Sequence, residues 1–331
     1  NSVWFAKMQA TLKVYPFTIN NKSEIEKYIL STGFAGVKLN ENISPDYVKF
    51  YFISRSFNEE KDKLCTGSTQ VGINNSFIAK MKIKIPFSNG KPDLKEQERI
   101  VSILEKAEKV KAKGENSEKL LDEYLNSVFN EMFYNKRFEN VVLKKVCDKI
   151  TDGTHFSPPN FEKGDFPYIT AKNIKKDGID LTNLTYIDKN SHKNIFQRCN
   201  PEIGDVLYIK DGATTGIAVV NNLLFEFSLL SSVALLKPNK KMLLGEYLVA
   251  ALNSPAVYQI IRKDMGGAAI TRLTLTKIEK IKIPLPPLPI QQKFAKIVEH
   301  VEGLKENVKK TKQNSEELFN SLMSKAFKGE L

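Results

Sequence analysis

Thr151-Asp152-Gly153-Thr154-His155 puts a carboxylate, two hydroxyls and an imidazole around an Asp-Gly turn, just ahead of Pro158 and Pro159. Such a loop can donate and accept hydrogen bonds at the polar edge of a nucleic acid, although Asp-Gly turns also close ordinary loops, with His155 only completing the turn. Tyr168-Ile169-Thr170-Ala171-Lys172-Asn173 is a strand-like run ending in Lys172 and Asn173. These residue types meet phosphates and base edges respectively, and they also occur at ordinary exposed strand ends. Lys210, Gly212 and Thr214 follow the apolar run Val206-Leu207-Tyr208-Ile209, just as Lys7, Gln9 and Thr11 follow Val3-Trp4-Phe5-Ala6. A polar loop from Gly267 to Thr274 carries Arg272, a forked donor suited to a base edge, and the loop from Gly67 to Asn74 carries Gln70. Either loop serves equally well as a simple connection.

Enzymatic readings of the same residues fare worse. Ser157-Pro158-Pro159-Asn160 approaches the tetrapeptide of amino-methyltransferases, but Asn160 stands where an aromatic should stack on a flipped base. No glycine-rich turn follows a strand to hold S-adenosylmethionine, and no phosphate loop ends in Lys-Ser/Thr. Pro45-Asp46 with Glu59-Glu60-Lys61 mimics a metal-dependent nuclease, yet the residues between have helical spacing and the acids do not recur in the second half. His192 and His300 read as isolated bystanders. The expectation is a non-catalytic chain with no cofactor and no metal.

These loops must be positioned by a repeated scaffold. Val3-Trp4-Phe5-Ala6-Lys7 returns 203 positions later as Val206 to Lys210; Tyr47 is matched by Tyr247, Gly67 by Gly267 and Ile73 by Leu273. Lys82-Ile83-Lys84-Ile85-Pro86 returns as Lys280-Ile281-Lys282-Ile283-Pro284. Residues 138 to 203 have no counterpart before Asn1, so the front of the first domain is expected to be missing. Short β-rich runs at Val206–Ile209, Ala218–Val220, Val233–Leu236 and Ile281–Leu285 predict strands. Spacing predicts helices over Glu246–Arg262 and Asp46–Lys61.

After the prolines each half enters a long helix. Ile100, Ile103, Ala107, Val110, Leu121, Tyr124 and Val128 step by three and four, and so do Phe294, Ile297, Val301, Leu304, Val308, Leu318 and Leu322. Both seams turn small or polar midway, at Gly114 and Ser117 and at Thr311 and Ser315. Narrow seams flanked by Lys and Glu want a partner helix, and each is the nearest candidate for the other. Asp93 with Glu96 predicts a capping box at the first helix start. The expected fold is α+β: a first domain over 1–92, a long helix over 93–137, a second domain over 138–288 and a second long helix over 289–331, the helices pairing as an antiparallel coiled coil between the domains.

Composition agrees with two ordinary cores, 41% of 331 residues being hydrophobic. No apolar run approaches the roughly 18 residues a membrane helix needs, and no signal-peptide pattern opens the chain. Cys65, Cys147 and Cys199 are odd in number and far apart, which suits free thiols in a reducing cytoplasm. The net charge of +12 is uneven: +6 on 1–92 and +6 on 140–288, against −2 on 93–136 and +2 on 289–331. Basic domains on near-neutral helices suit a polyanion with separated sites, or simply a soluble surface.

Taken together, the doubled plan, Thr151 to His155 early in the second half, the strand-proline exits Lys82–Pro86 and Lys280–Pro287, Glu96-Gln97-Glu98-Arg99 and Gln291-Gln292-Lys293 opening the helices, and the closing Lys325-Ala326-Phe327-Lys328-Gly329-Glu330-Leu331 resemble the DNA specificity subunits of type I restriction-modification systems. The resemblance covers essentially the whole chain. It departs where the first half lacks its own Asp-Gly-Thr-His loop and has Met8 and Gln9 in place of Asp211 and Gly212. It implies two target-recognition domains that read a split target in double-stranded DNA, helices that set the gap and dock DNA methyltransferase (modification) subunits, and a motor/nuclease (restriction) subunit joining that assembly. On that reading Thr154, His155, Lys172, Asn173, Lys210, Thr214 and Arg272 touch DNA in the second domain, and Lys7, Gln9, Thr11 and Gln70 in the first. An adaptor or scaffold without DNA readout is the competing class, and retention on a DNA column discriminates the two.

Overall fold

A computed structural model of the chain describes residues 1–18, 26–67, 71–134, 136, 138–264 and 272–331. The fold is α+β. Two compact units divide it, Asn1–Lys119 with Lys305–Leu331, and Leu120–Leu304.

In the first unit the strand Ser2–Ala6 runs between Val14–Phe17 and Phe34–Lys38, antiparallel to both. Val3 and Phe5 alternate onto the buried face, as period-two side chains must. Phe5, Phe52 and Phe57 form an aromatic knot with ring centroids 4.6 to 5.1 Å apart. Around it close Tyr47 and Phe50 from the helix Pro45–Ile53, Ile100 and Leu104 from the helix Leu94–Phe129, and Met323 and Phe327 from the helix Leu288–Lys328. Each such buried side chain contributes about 1.5–3 kcal/mol.

The second unit repeats that sheet: Val206–Ile209 lies between Ala218–Val220 and Val233–Pro238, again antiparallel. A fourth strand, Cys147–Asp152, pairs with the outer side of Val233–Pro238, and a second sheet joins Thr185–Ile187, Phe166–Ile169 and Ser228–Leu229. Its core takes Tyr247 and Leu248 from the helix Gly245–Asn253, Phe294 from the second long helix, Phe129 from the end of the first, and Phe133 from the π-helical turn Asn130–Tyr134 that follows it.

The units also differ at one edge. In the second, the segment from Asn140 to Asp152 buries Leu143 and Val146 completely and pairs with both Lys282–Pro284 and Val233–Pro238. Among the described residues nothing takes that place in the first unit. There, Val37, Leu39, Ile43, Ile78, Met81 and Ile83 line a groove of about 290 Å³.

Four sequence expectations shift. The helices predicted over Asp46–Lys61 and Glu246–Arg262 are each broken by a serine, at Ser54 and Ser254. Each hydroxyl donates back to a carbonyl of the helix it ends, on Tyr51 (2.6 Å) or Ala251 (2.7 Å). Each also accepts from the first turn of the next helix, from Phe57 or Val257.

The lysine-isoleucine repeat is also out of register. The Tyr47 hydroxyl donates to the Lys84 carbonyl at 2.9 Å and that of Tyr247 to Pro284 at 2.6 Å, so Ile83 corresponds to Ile283 and not Ile281. A two-residue slip keeps every side chain on its face, which hides it from the sequence pattern.

On the long helices, Ile100, Ala107, Phe294 and Val301 are buried as expected, whereas Val110, Tyr124, Leu304 and Leu318 are exposed and Leu104, Phe129, Met323 and Phe327 are buried instead. A straight helix drifts about 20° per heptad, so one seam cannot stay covered from end to end. The helices run close at Gly114, where a Cβ would lie in ordinary contact with Lys312, 3.7 Å from its Cα, so the position does not demand glycine. Lys111 and Glu316 (2.9 Å) and Lys312 and Glu118 (3.4 Å) pair beside it. Asp93 caps the first helix by accepting from the Glu96 amide at 3.1 Å, but Glu96 turns to Arg99 rather than closing a capping box.

Candidate nucleic-acid interface

In the second unit the strand Val233–Pro238 has Val206–Ile209 on one side and Cys147–Asp152 on the other, with Tyr208 and Asp152 both opposite Ala234. That pairing forces the two polar strand ends together. Lys210 and Asp152 are both buried, and the Lys210 Nζ lies 3.4 Å from the Asp152 Oδ2. The Asp152 Oδ1 receives the Arg198 Nη1 at 3.1 Å and faces the His155 Nε2 at 3.4 Å. On its other side Lys210 lies 3.4 Å from the Asp211 Oδ2. The Asp211 Oδ1 faces the Arg272 Nε at 3.2 Å, in ion-pair range though not aligned as a hydrogen bond. Charges alternate along this row, which is how buried ions avoid an uncompensated desolvation cost.

The loops themselves are stitched to one short segment, Leu230 to Ser232. Ser231 N–H donates to the Thr154 carbonyl, Leu230 N–H to Ile169, Ala171 N–H to the Ser232 hydroxyl and Lys210 N–H to the Ser232 carbonyl. Gly153 is needed where the loop passes the neighbouring strand, because a Cβ there would meet the Leu229 carbonyl oxygen at 1.9 Å. Arg198 donates to the Gly153 carbonyl.

The predicted contact residues separate by exposure. His155 (55% exposed), Lys172, Thr214 and Arg272 (59% exposed) present side chains to solvent. Thr154 is half-buried and its hydroxyl serves the loop, donating to the Phe156 carbonyl at 2.9 Å. Asn173 is buried, its Oδ1 accepting from the Thr170 amide and its Nδ2 donating to the Asp180 carbonyl. Asn173 and Lys210 therefore hold loops in place and do not reach outward, because their polar atoms are consumed by backbone and buried carboxylates.

In the first unit Lys7 and Thr11 are half-buried and Gln9 is exposed. Gln70 lies outside the described residues. The loop after Ala6 wraps a different cation: Lys61, fully buried, donates to the Met8 and Thr11 carbonyls at 3.1 Å each. Asp62 accepts from the Ala10 amide at 3.3 Å. The backbone plan is nonetheless shared. Ile73 N–H donates to the Lys7 carbonyl (3.0 Å) and Leu273 N–H to Lys210 (2.8 Å), and the bridge Met8–Gly72 occupies the place of Asp211–Arg272. In this geometry the place of Arg272 is taken by Gly72.

Sequence reading missed Asp211 and Arg198, whose roles depend on partners far away in the chain, and the Ser231-Ser232 pair, which stands out only as polar residues between two apolar runs. It also took His192 for a bystander. His192 is buried, stacked on Phe166 at 3.8 Å, with its Nδ1 3.0 Å from the Ser228 hydroxyl and its Nε2 3.3 Å from Glu226. Beside the row, burial pushes the Cys199 thiol up to about 12 despite the neighbouring Arg198, so it stays protonated at neutral pH. The described residues hold no group of three or more His, Cys, Asp or Glu placed for a metal ion, and no described helix is long and apolar enough to cross a membrane.

A family model, "Type I restriction modification DNA specificity domain", matches residues 14–121 and 135–317. The type I restriction enzyme MjaIX specificity subunit of Methanocaldococcus jannaschii is 23% identical over 291 residues, 81% of this chain. The chain spans 64% of that relative's length. A chain from a structural study of complex assembly and conformational transition in the type I R-M system aligns over all of this chain and 82% of its own length, with a TM-score of 0.63 at 20% identity. The type I restriction-modification S subunit from M. genitalium aligns over 99% of this chain and 83% of its own, with a TM-score of 0.56 at 16% identity. These two likenesses concern the fold.

Proposed function

Because the chain belongs to the type I restriction modification DNA specificity family, we propose that it is the non-catalytic DNA reader of such a system, taking a split target with one unit on each half. The observation that carries this is the recurrence, in two basic units, of one strand-end loop held by the same backbone bond, Ile73 to Lys7 and Leu273 to Lys210. Two copies of one binding plan suit two half-sites on one polyanion.

In the second unit His155, Lys172, Thr214 and Arg272 carry the contact, with Thr154 shaping the loop. In the first, Lys7, Gln9, Thr11 and Gln70 do so. Lysines meet phosphates and set position, while Arg, Gln and Thr read base edges in the major groove. The long helices act as an antiparallel ruler between half-sites, a reading supported by the Lys111–Glu316 and Lys312–Glu118 pairs. Their exposed faces, which include Tyr124 and Leu318, dock DNA methyltransferase subunits, and the motor/nuclease subunit joins that assembly. The site of action is the cytoplasm, where the three free thiols stay reduced.

Methylation mapping with a cognate methyltransferase subunit tests the proposal. Adenines modified in a split sequence of fixed gap are expected. An active, bound partner that modifies without sequence preference would leave the adaptor reading in its place.

A further inference from the structure

We propose that Asp211 is a positioning residue that presents Arg272 to a guanine in the half-site read by the second unit. The inference rests on the DNA-reading function above and adds the base class and the residue that sets it.

The backbone places the two residues first. Asp211 and Arg272 face each other across an antiparallel bridge, locked by the 2.8 Å bond from the Leu273 amide to the Lys210 carbonyl. The side chains follow, with Asp211 fixed from behind by Lys210, itself pinned to Asp152, and its Oδ1 turned to the Arg272 Nε at 3.2 Å. A carboxylate in ion-pair range of Nε biases the orientation of the guanidinium, whose far edge carries two terminal nitrogens as a fork of N–H donors. Guanine offers the matching pair of acceptors, O6 and N7, in the major groove, and no other base presents two acceptors there. A preset fork also loses less side-chain freedom on binding.

A purely stabilising role explains the pair poorly, because Arg272 is 59% exposed and exposed ion pairs contribute little. The internal repeat supplies an independent comparison. At the equivalent bridge the first unit has Met8 and Gly72, so acid and arginine are present together or absent together. A Cβ on Gly72 would sit 3.3 Å from the Lys7 carbonyl oxygen, leaving little room there for a reading side chain. The first unit must read its half-site without this fork.

The test is selection from randomised DNA by the full chain assembled with a cognate methyltransferase subunit, comparing wild type, Asp211→Asn, Asp211→Glu, Arg272→Lys and Arg272→Ala. Arg272→Ala should erase a guanine preference at one position. Asp211→Asn should weaken discrimination at that same position by about 5- to 150-fold, the range one bidentate base contact carries. Its affinity for random DNA should not fall, since an acid has been removed, and Asp211→Glu should restore part of the preference. Arg272→Lys, which keeps the charge and loses the fork, should resemble Arg272→Ala and reports even if the Asp211 variants fold poorly. Loss of preference spread over all positions in Asp211→Asn, or guanine discrimination retained in Arg272→Lys, overturns the inference. A wild type that selects no sequence at all sinks the DNA-reading function instead.

Discussion

Gln97 and Gln291 make the same pair of hydrogen bonds in the two units. Gln97 accepts from the Ser44 amide at 2.9 Å and donates to the Asn42 carbonyl at 3.1 Å; Gln291 accepts from Leu244 and donates to Met242, each at 2.9 Å. Both side chains are fully buried, and each fastens a long helix to the residue that opens the helix carrying Tyr47 or Tyr247. Gln97→Leu or Gln291→Leu would leave the Ser44 or Leu244 amide without its acceptor, costing about 1–3 kcal/mol each. Urea unfolding of the single variants, each with a midpoint lower than wild type, is the expected result.

Asp152 is the centre of the charge row, and removing its charge leaves Lys210 buried against fewer acids. Asp152→Asn should destabilise the second unit by about 3–5 kcal/mol, as breaking a buried ion pair does. Asp152→Asn with Lys210→Met should recover part of that loss. A thermodynamic cycle over the two changes measures the coupling directly.

Lys172 is exposed where Lys210 is buried, so the two lysines should respond differently. Lys172→Ala should lower DNA affinity, reduce the slope of log affinity against log salt by about 1, and leave thermal stability unchanged. Lys210→Ala should lower stability. Salt titrations of DNA binding beside thermal melts of the free chain distinguish them.

Gly153→Ala pushes a methyl group into the Leu229 backbone, where no side chain can swing away. The loop carrying Thr154 and His155 must then detach from Leu229 and Leu230. Faster exchange of the Thr154 and Ser231 amides in hydrogen-exchange mass spectrometry should reveal it, with the first unit unaffected.

Alkaline pH should destabilise the chain before any site chemistry is touched. The Cys199 thiol is raised to about 12 by burial, whereas an unfolded thiol ionises near 8.5. A raised value makes this stability complete below about pH 8.5 and lost progressively up to pH 12, at roughly 1 kcal/mol per pH unit. Burial likewise raises Tyr47 to about 12, adding a loss that begins near pH 10. Burial raises the Cys147 thiol to about 12 as well, so Cys199→Ala should lessen and not abolish the decline between pH 9 and 10 in denaturation curves taken against pH.

Elements with a strong period were legible in the sequence. The runs Val206–Ile209 and Ala218–Val220 are strands with the expected ends, and the helices carrying Gln97 and Gln291 begin within a residue of the positions read from capping and proline signals. What failed was anything that depends on which polar group is buried. Lys210 and Asn173 look like ligand-facing residues because side-chain chemistry says nothing of where the sheet pairing puts them. Asp152 and Asp211 become recognisable only once strands distant in sequence bring a lysine and two arginines alongside. The serine breaks at Ser54 and Ser254 were hidden because apolar spacing continues across them.

The segment Asn140–Asp152 bears on folding order in the second unit. It buries Leu143 and Val146 completely and pairs with both Lys282–Pro284 and Val233–Pro238, so it can detach only by exposing two core side chains and two strand edges at once. Its paired amides should therefore exchange together with those of the core strands and not with those of the loops.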